Sequence, residues 1–167
     1  EEINSFCELH IITTSTYSRY GKFIKKDVFE ILDQLPIKTT FHKWDINSKD
    51  KILSQCDCGI IPLNKNNLFG WHKPANKLIS FWFTGLPTIV SDTPAYKELM
   101  HSAKGDLYCS DTADWIKKIN IMRDQTAAQR QQLSLDNLAY VKRNFSDESL
   151  DQIWLKVFEN IILDKRE

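Results

Sequence analysis

Short runs of β-branched and apolar residues alternate with helical patterns along the first two thirds of the chain, and this alternation constrains the fold most. The runs that predict strands cover residues 9–14, 37–44, 58–62, 86–91 and 107–109. Helical spacing of apolar residues falls between them, in 23–35, 49–55 and 73–84. Thr93 and Pro94 predict the N-cap and first residue of a further helix. Because such alternation is typical of βαβ units, the sequence predicts an α/β fold with a parallel sheet and flanking helices.

The pattern becomes wholly helical from Asp111 onward. The last predicted helix begins at Ser146, and its apolar stripe repeats with a period close to 3.6: Leu150, Ile153, Trp154, Val157, Phe158, Ile161 and Ile162. Burial of this stripe against the chain's own sheet and contact with a partner domain are both compatible with the sequence. Because no repeat and no Gly/Ser/Pro-rich linker interrupts the 167 residues, we predict a single domain over residues 1–167.

Charge and cysteine usage restrict the expected partners and compartment. Lys plus Arg and Asp plus Glu each number 22, so no global field attracts nucleic acid, and no nucleic-acid partner is expected. Three of the four cysteines fall in apolar, strand-like runs, where a reduced cysteine behaves as a small hydrophobe, and we expect a cytoplasmic location. The Cys56–Cys58 spacing does not match a zinc site, so no metal is expected.

Residues 58–91 contain no Asp or Glu but do contain three lysines and a histidine. The segment runs through a polar loop, 64–72, to a helix predicted to begin near Lys73, with Asn76 and Lys77 in its first turn. The free N–H groups and positive dipole at a helix start bind phosphate well. The alternative is an ordinary pair of solvated lysines. The sequence has neither a Walker loop nor a G-x-G-x-x-G motif, so a conventional kinase or dinucleotide site is unsupported.

Three sequence blocks resemble a known family. They are DCGIIPL at 57–63, WHKPANKLIS at 71–80 and TGLPTIVSDTPAY at 84–96. Together they are similar to the nucleotide-sugar-binding half of GT-B glycosyltransferases, above all to the bacterial retaining "group 1" enzymes that build surface polysaccharides. Those enzymes combine a strand ending in proline, an N-K-L helix, a G-x-P-V strand and a small-residue turn. The resemblance implies a Rossmann-like domain that is half of a GT-B fold, followed by a helical C-terminal segment.

The resemblance also implies which residues contact the phosphates of the donor. Lys77 of the N-K-L motif would contact the diphosphate, with Asn76 and the helix amides beside it. Lys73 belongs to the same cationic segment and is included in the predicted site. Thr93, in the small-residue turn, would lie near the donor phosphates or the sugar.

The base and ribose contacts are implied in the same way. Trp44 and Asp45, after the second predicted strand, would approach the nucleotide base. Ser80 occupies the position of the family's ribose-binding glutamate, and His72 occupies that of the earlier glutamate of the E-x7-E signature. This loss of both acids supports an alternative function, a non-catalytic Rossmann-like module that acts as a partner-binding subunit. A flavodoxin-like or receiver-like domain ranks last, because the acidic residues do not form the cluster that a receiver needs.

The implied activity is hexosyl transfer from a nucleoside-diphosphate sugar to a glycan, lipid-linked or polysaccharide acceptor. Helix amides and lysines can stabilise the leaving diphosphate without a metal, and the chain has no Asp-x-Asp pair, so neither a metal nor a cofactor is expected. A GT-B enzyme has a second domain that takes part in acceptor binding. The chain has room for one half only and lacks an initiator Met, so it is expected to be a fragment that is inactive alone. The full-length enzyme would be cytoplasmic, either free or peripheral on the inner face of the membrane.

Overall fold

A computed structural model describes residues 3–18, 25–64 and 66–164. Its contacts divide the chain into two compact units, residues 1–56 and 57–167. The prediction of a single domain over the whole chain stays a prediction. Each unit is an arrangement of strands and helices.

In the first unit the described residues form two pairs of strands. A 3-10 turn, Ile3–Ser5, precedes β1 (Leu9–Thr13), which pairs in parallel with β4 (Thr39–Lys43), Leu9 opposite Thr39. Strands β2 (Thr16–Ser18) and β3 (Lys25–Asp27) form an antiparallel pair. The helices are short: α1 (Phe29–Leu32) and α2 (Lys49–Leu53).

The prediction of a helix over residues 23–35 is wrong for most of the described residues in that range. Residues 23 and 24 lie outside the described residues, 25–27 form strand β3, and only 29–32 are helical. Two hydrogen bonds explain the late start of the helix. The amide of Val28 donates to the carbonyl of Ser15 at 3.0 Å, and the amide of Phe29 donates to the carboxylate of Asp27 at 3.0 Å. An aspartate that binds a nearby backbone amide in this way competes with a helical hydrogen-bond pattern.

The second unit is built on a three-stranded parallel sheet in the order β5 (Gly59–Ile61), β6 (Thr88–Ser91), β7 (Tyr108–Cys109). The described residues of this unit form six helices beside the sheet: α3 (Leu68–Trp71), α4 (Asn76–Phe83), α5 (Pro94–Ser102), α6 (Thr112–Asp124), α7 (Ala127–Phe145) and α8 (Asp147–Asp164). All four residues of β6 are buried, as expected for a strand with a neighbour on each side. The predicted α/β class, with parallel strands, flanking helices and a helical C-terminal segment, is confirmed.

The core of the second unit lies between the sheet and helices α4, α5, α6 and α7. Leu78 and Trp82, one helical turn apart on α4, are 0% and 1% exposed. They join one apolar cluster with Ile89 of β6, Met100 of α5 and Val141 of α7. This cluster fixes the rotation of α4 about its axis, so the polar residues between Leu78 and the helix start are directed away from the core.

The start of α4 differs from the prediction. The helix begins at Asn76 rather than near Lys73, and Pro74 precedes it instead of occupying its first turn. The reason is local, because a residue before proline is disfavoured in the helical region. The loop predicted over 64–72 contains the short helix α3, whose start is capped by the side chain of Asn67 accepting from the amide of Gly70 at 3.2 Å. Gly85 follows the C-terminal end of α4 as predicted. Its φ of 73° lies in the left-handed region, which glycine adopts readily at the end of a helix.

Candidate functional site

The carboxyl edge of the β5–β6–β7 sheet is where an open parallel sheet binds ligands. Each strand leaves this edge into a different segment: β5 into the loop that leads to α3 and α4, β6 into Thr93 and α5, and β7 into Asp111 and α6. Because α4 returns the chain to the start of β6, it runs antiparallel to the strands and its first turn lies at the same edge. The predicted phosphate-binding residues of this unit therefore lie toward the same edge of the sheet.

The first turn of α4 is open to solvent. Asn76 and Lys77 are exposed, Ser80 one turn later is half-buried, and Lys73 is exposed just ahead of the helix. The N-cap residue, Ala75, makes no side-chain cap hydrogen bond. The leading amides of α4 are thus left without a side-chain acceptor from the cap, as at a helix start that can accept an anion.

The predicted turn residue Thr93 has a structural task. Its side chain is fully buried, and its hydroxyl accepts from the amide of Tyr96 at 3.3 Å as the N-cap of α5. The sequence prediction of this cap and of Pro94 as the first helical residue is confirmed. Pro94 is exposed at this turn, whereas the Thr93 hydroxyl is buried behind it. Contact of Thr93 with the phosphates or sugar of a nucleotide sugar stays a prediction, and the burial of its side chain does not favour it.

The other part of the edge is acidic, which sequence reasoning missed. The hydroxyl of Ser110 donates to Oδ2 of Asp92 at 2.7 Å, which joins the ends of β7 and β6. The amide of Ser110 donates to Oδ2 of Asp114 at 2.9 Å, and the amide of Asp114 donates to Asp111, the N-cap of α6. The Asp-x-x-Asp spacing at 111–114 could have predicted this cluster, because Asp111 is the N-cap of α6 and Asp114 lies in its first turn. These carboxylates disfavour an anion on the β6–β7 side of the edge, because like charges repel.

The buried thiol at the same edge is not a nucleophile. Cys109 is 1% exposed, and burial, together with the nearby carboxylates Asp114, Asp92 and Asp111, raises its pKa to about 12. A thiol with this pKa stays protonated at neutral pH and is unreactive. Cys109 therefore belongs to the core rather than to the chemistry of the site.

The two predicted base-contacting residues belong to the first unit. Trp44 follows β4, is 52% exposed, and its amide donates to the carbonyl of Thr13 at 2.8 Å. The Asp45 carboxylate accepts from the hydroxyl of Ser48, and also from backbone amides of the same turn; these bonds lower its pKa. Asp45 thus orders the turn into α2. Contact of either residue with a nucleotide base stays a prediction.

The first unit also brings together two histidines that the sequence did not pair. His10 of β1 and His42 of β4 stack with their ring centroids 5.1 Å apart, and His10 Nδ1 lies 2.9 Å from His42 Nε2. Parallel pairing of β1 with β4 allows this contact, because His42 lies two residues beyond Thr40, the partner of His10, and so stands diagonally from His10 on the same face. The sequence carried no local signal for it, since 32 residues separate the two.

Within the described ranges no group of three or more His, Cys, Asp or Glu side chains is placed to hold a metal ion. None of the helices in the described part of the chain is both long and apolar enough to cross a membrane. Comparison of the chain with protein-family models, with curated proteins and with solved structures gives no match.

Proposed function

We propose that the second unit binds the diphosphate of a nucleoside-diphosphate sugar and belongs to a glycosyltransferase that moves the sugar to a glycan, lipid-linked or polysaccharide acceptor. One observation carries the proposal: the start of α4, with Asn76 and Lys77 exposed and no side-chain cap, lies at the ligand-binding edge of a parallel sheet. The GT-B resemblance of the sequence blocks at 57–63, 71–80 and 84–96 supplies the substrate class.

The electrostatics of the segment support an anionic ligand. Residues 58–91 carry no acid, while Lys73 precedes α4 and Lys77 lies in its first turn. The carboxylates of this edge lie away from α4, at the ends of β6 and β7, where they accept hydrogen bonds from Ser110. A diphosphate on the β5–α4 side would thus meet two cations and the positive end of a helix.

The same groups suit the chemistry of glycosyl transfer. As the bond from the sugar to the diphosphate breaks, negative charge grows on the leaving oxygen. Fixed amides and a lysine ammonium directed at that oxygen stabilise the charge because they need no rearrangement during the reaction. The acceptor and the groups that complete the reaction would come from another domain of the enzyme.

Calorimetric titration of the chain with uridine diphosphate and with guanosine diphosphate tests the proposal. We expect binding of at least one of the two, and a weaker interaction for Lys77→Ala. Lys104→Ala is the matched control, because Lys104 lies between α5 and β7 at the opposite edge of the sheet. Binding of neither nucleotide at millimolar concentration would leave the alternative, a non-catalytic module that binds a partner.

A further inference from the structure

Two histidine rings share a hydrogen bond on one face of the β1–β4 strand pair. His10 Nδ1 lies 2.9 Å from His42 Nε2, and the planes of the rings differ by 14°. At this distance one ring nitrogen carries the proton and the other accepts it through a lone pair. An ion that takes the place of the proton would therefore meet a lone pair on each ring.

The separation of these two nitrogens is that of neighbouring ligands on one metal ion. Bonds of about 2.0–2.1 Å from an ion to imidazole nitrogens, at an angle of about 90°, place the nitrogens roughly 2.8–3.0 Å apart. The observed 2.9 Å falls in this range. Both lone pairs point at a common position when each ring turns by about 45°, which the broad terminal torsion of histidine permits.

The other nitrogen of His10 lies near a carboxylate whose position is fixed. Glu8 Oε1 is 3.8 Å from His10 Nε2. The same carboxylate accepts hydrogen bonds from the ammonium of Lys38 and the hydroxyl of Thr40, each at 2.6 Å. A histidine that binds a metal keeps its proton on the other ring nitrogen, where a carboxylate commonly orients it. Glu8 therefore favours the form of His10 in which Nδ1 is the ligand.

Water can reach this position and complete the coordination of an ion. The side chain of His10 is 32% exposed, and His42 is half-buried. Since the described residues hold no group of three or more ligating side chains, water would fill the other positions. Imidazole nitrogens suit divalent ions such as Ni²⁺, Cu²⁺ and Zn²⁺, whereas Mg²⁺ and Ca²⁺ prefer oxygen ligands.

We propose that His10 and His42 bind a divalent first-row transition-metal ion through Nδ1 and Nε2. The ion replaces the proton between the rings, and the ring that carried this proton takes one up on its other nitrogen, so both imidazoles stay neutral. Because the two histidines lie on different strands, the bound ion stabilises the pairing of β1 with β4. The proposal does not depend on the function proposed for the second unit.

Calorimetric titration of the chain, without a purification tag, with NiCl₂ tests this site. We expect one Ni²⁺ at the histidine pair, and His10→Gln and His42→Gln should each lose it because a single imidazole cannot chelate. His72→Gln and His101→Gln are the matched controls, since they remove the other two of the four histidines, both exposed, and should keep the affinity. MgCl₂ should give no binding at the pair.

Three further measurements distinguish metal binding from a structural role of the rings. Paramagnetic Ni²⁺ should broaden the imidazole NMR signals of His10 and His42 first, and this readout needs no variant. Ni²⁺ should raise the Tm of the unmodified chain but not that of the double variant His10→Gln/His42→Gln. Glu8→Gln, which removes the orienting carboxylate, should weaken Ni²⁺ binding about 10- to 100-fold.

The proposal is overturned if the unmodified chain fails to bind Ni²⁺ at millimolar concentration, since the pair would then form a hydrogen bond and nothing more. Binding that survives in both His10→Gln and His42→Gln would also overturn it, because the ion would then lie elsewhere, for example at a cysteine thiol. Loss of binding in one of these two variants alone would do the same, since the ion would have a single histidine ligand.

Discussion

The hydroxyl of Ser91 is bonded to the backbone of Leu63 twice. Ser91 Oγ accepts from the Leu63 amide at 2.8 Å and donates to the Leu63 carbonyl at 3.3 Å. The two residues stand 28 apart in the chain, and Ser91 is only 4% exposed. These two hydrogen bonds hold the backbone just after β5 against the end of β6. They therefore set the starting point of the segment that leads to α4 and the proposed site.

Replacement of this serine should destabilise the second unit. In Ser91→Ala the half-buried Leu63 amide loses its acceptor, which costs about 1–3 kcal/mol of the free energy of unfolding. Urea unfolding followed by circular dichroism measures the change. Ser102→Ala, at an exposed position at the end of α5, is the control and should shift stability by less than about 0.5 kcal/mol. Equal stability of the two variants would contradict a structural role for the bond.

Sequence reasoning succeeded where local chemistry decides the structure. The capped start of α5 follows from Thr93 and Pro94 alone, since a threonine hydroxyl and a fixed proline φ both favour a helix start. The parallel strands follow from short buried runs separated by helical patterns. In both cases the information lies within a few neighbouring residues.

Distant contacts were the part that the sequence could not supply. The amide of Val28 is bound by Ser15, thirteen residues earlier, and this bond turns a predicted helix into a strand pair and a single helical turn. The acidic side of the site forms only when the sheet brings Ser110 next to Asp92. The rotation of α4, which exposes Lys77, is set by burial of Trp82 in a core to which the three strands of the sheet and helices α5, α6 and α7 contribute.

Contact between β5 and α4 predicts the effect of a small substitution. A Cβ atom at Gly59 would lie 2.6 Å from Cδ2 of Phe81 and 3.0 Å from Oγ1 of Thr88. Gly59→Ala should therefore cost about 1–3 kcal/mol through overpacking. Thermal unfolding measures the loss as a lower Tm. The double variant Gly59→Ala/Phe81→Leu removes the ring and should be less destabilised than the sum of the single changes; full additivity would rule out this contact as the cause.

The raised pKa of Cys109 predicts slow alkylation and a loss of stability in alkali. Its folded pKa of about 12 exceeds the ordinary value of 9.0, so the folded state holds the proton more tightly. The resulting stabilisation is complete below pH 9.0 and is lost as the pH rises toward 12. Mass spectrometry after brief iodoacetamide treatment at neutral pH should find Cys109 unmodified in the folded chain and modified in urea. Rapid labelling of the folded chain would contradict its burial.

The carboxylate of Glu8 gives a pH prediction in the first unit. Its pKa is lowered from 4.5 by hydrogen bonds from the ammonium of Lys38 and the hydroxyl of Thr40, each at 2.6 Å. Because the folded pKa is depressed, these bonds stabilise the unit above pH 4.5 and stop doing so as the pH falls through the folded pKa. An NMR titration should place the Glu8 midpoint below 4.5 and move it upward in Lys38→Met. An unchanged midpoint in that variant would show that the ion pair does not form in solution.

Replacement of Lys77 should weaken the binding of a ligand's phosphates but not of its base. Loss of a charge-assisted hydrogen bond to the diphosphate costs about 1.5–3 kcal/mol, which is roughly a 10- to 100-fold loss of affinity. Lys77→Ala should therefore weaken the binding of uridine diphosphate by this factor and leave the weaker binding of uridine unchanged. Lys77 is exposed and contributes nothing to the core, so the variant should keep the stability of the unmodified chain. If uridine and uridine diphosphate lose affinity equally, the lysine acts on the shape of the site, and the start of α4 is not the group that holds the diphosphate.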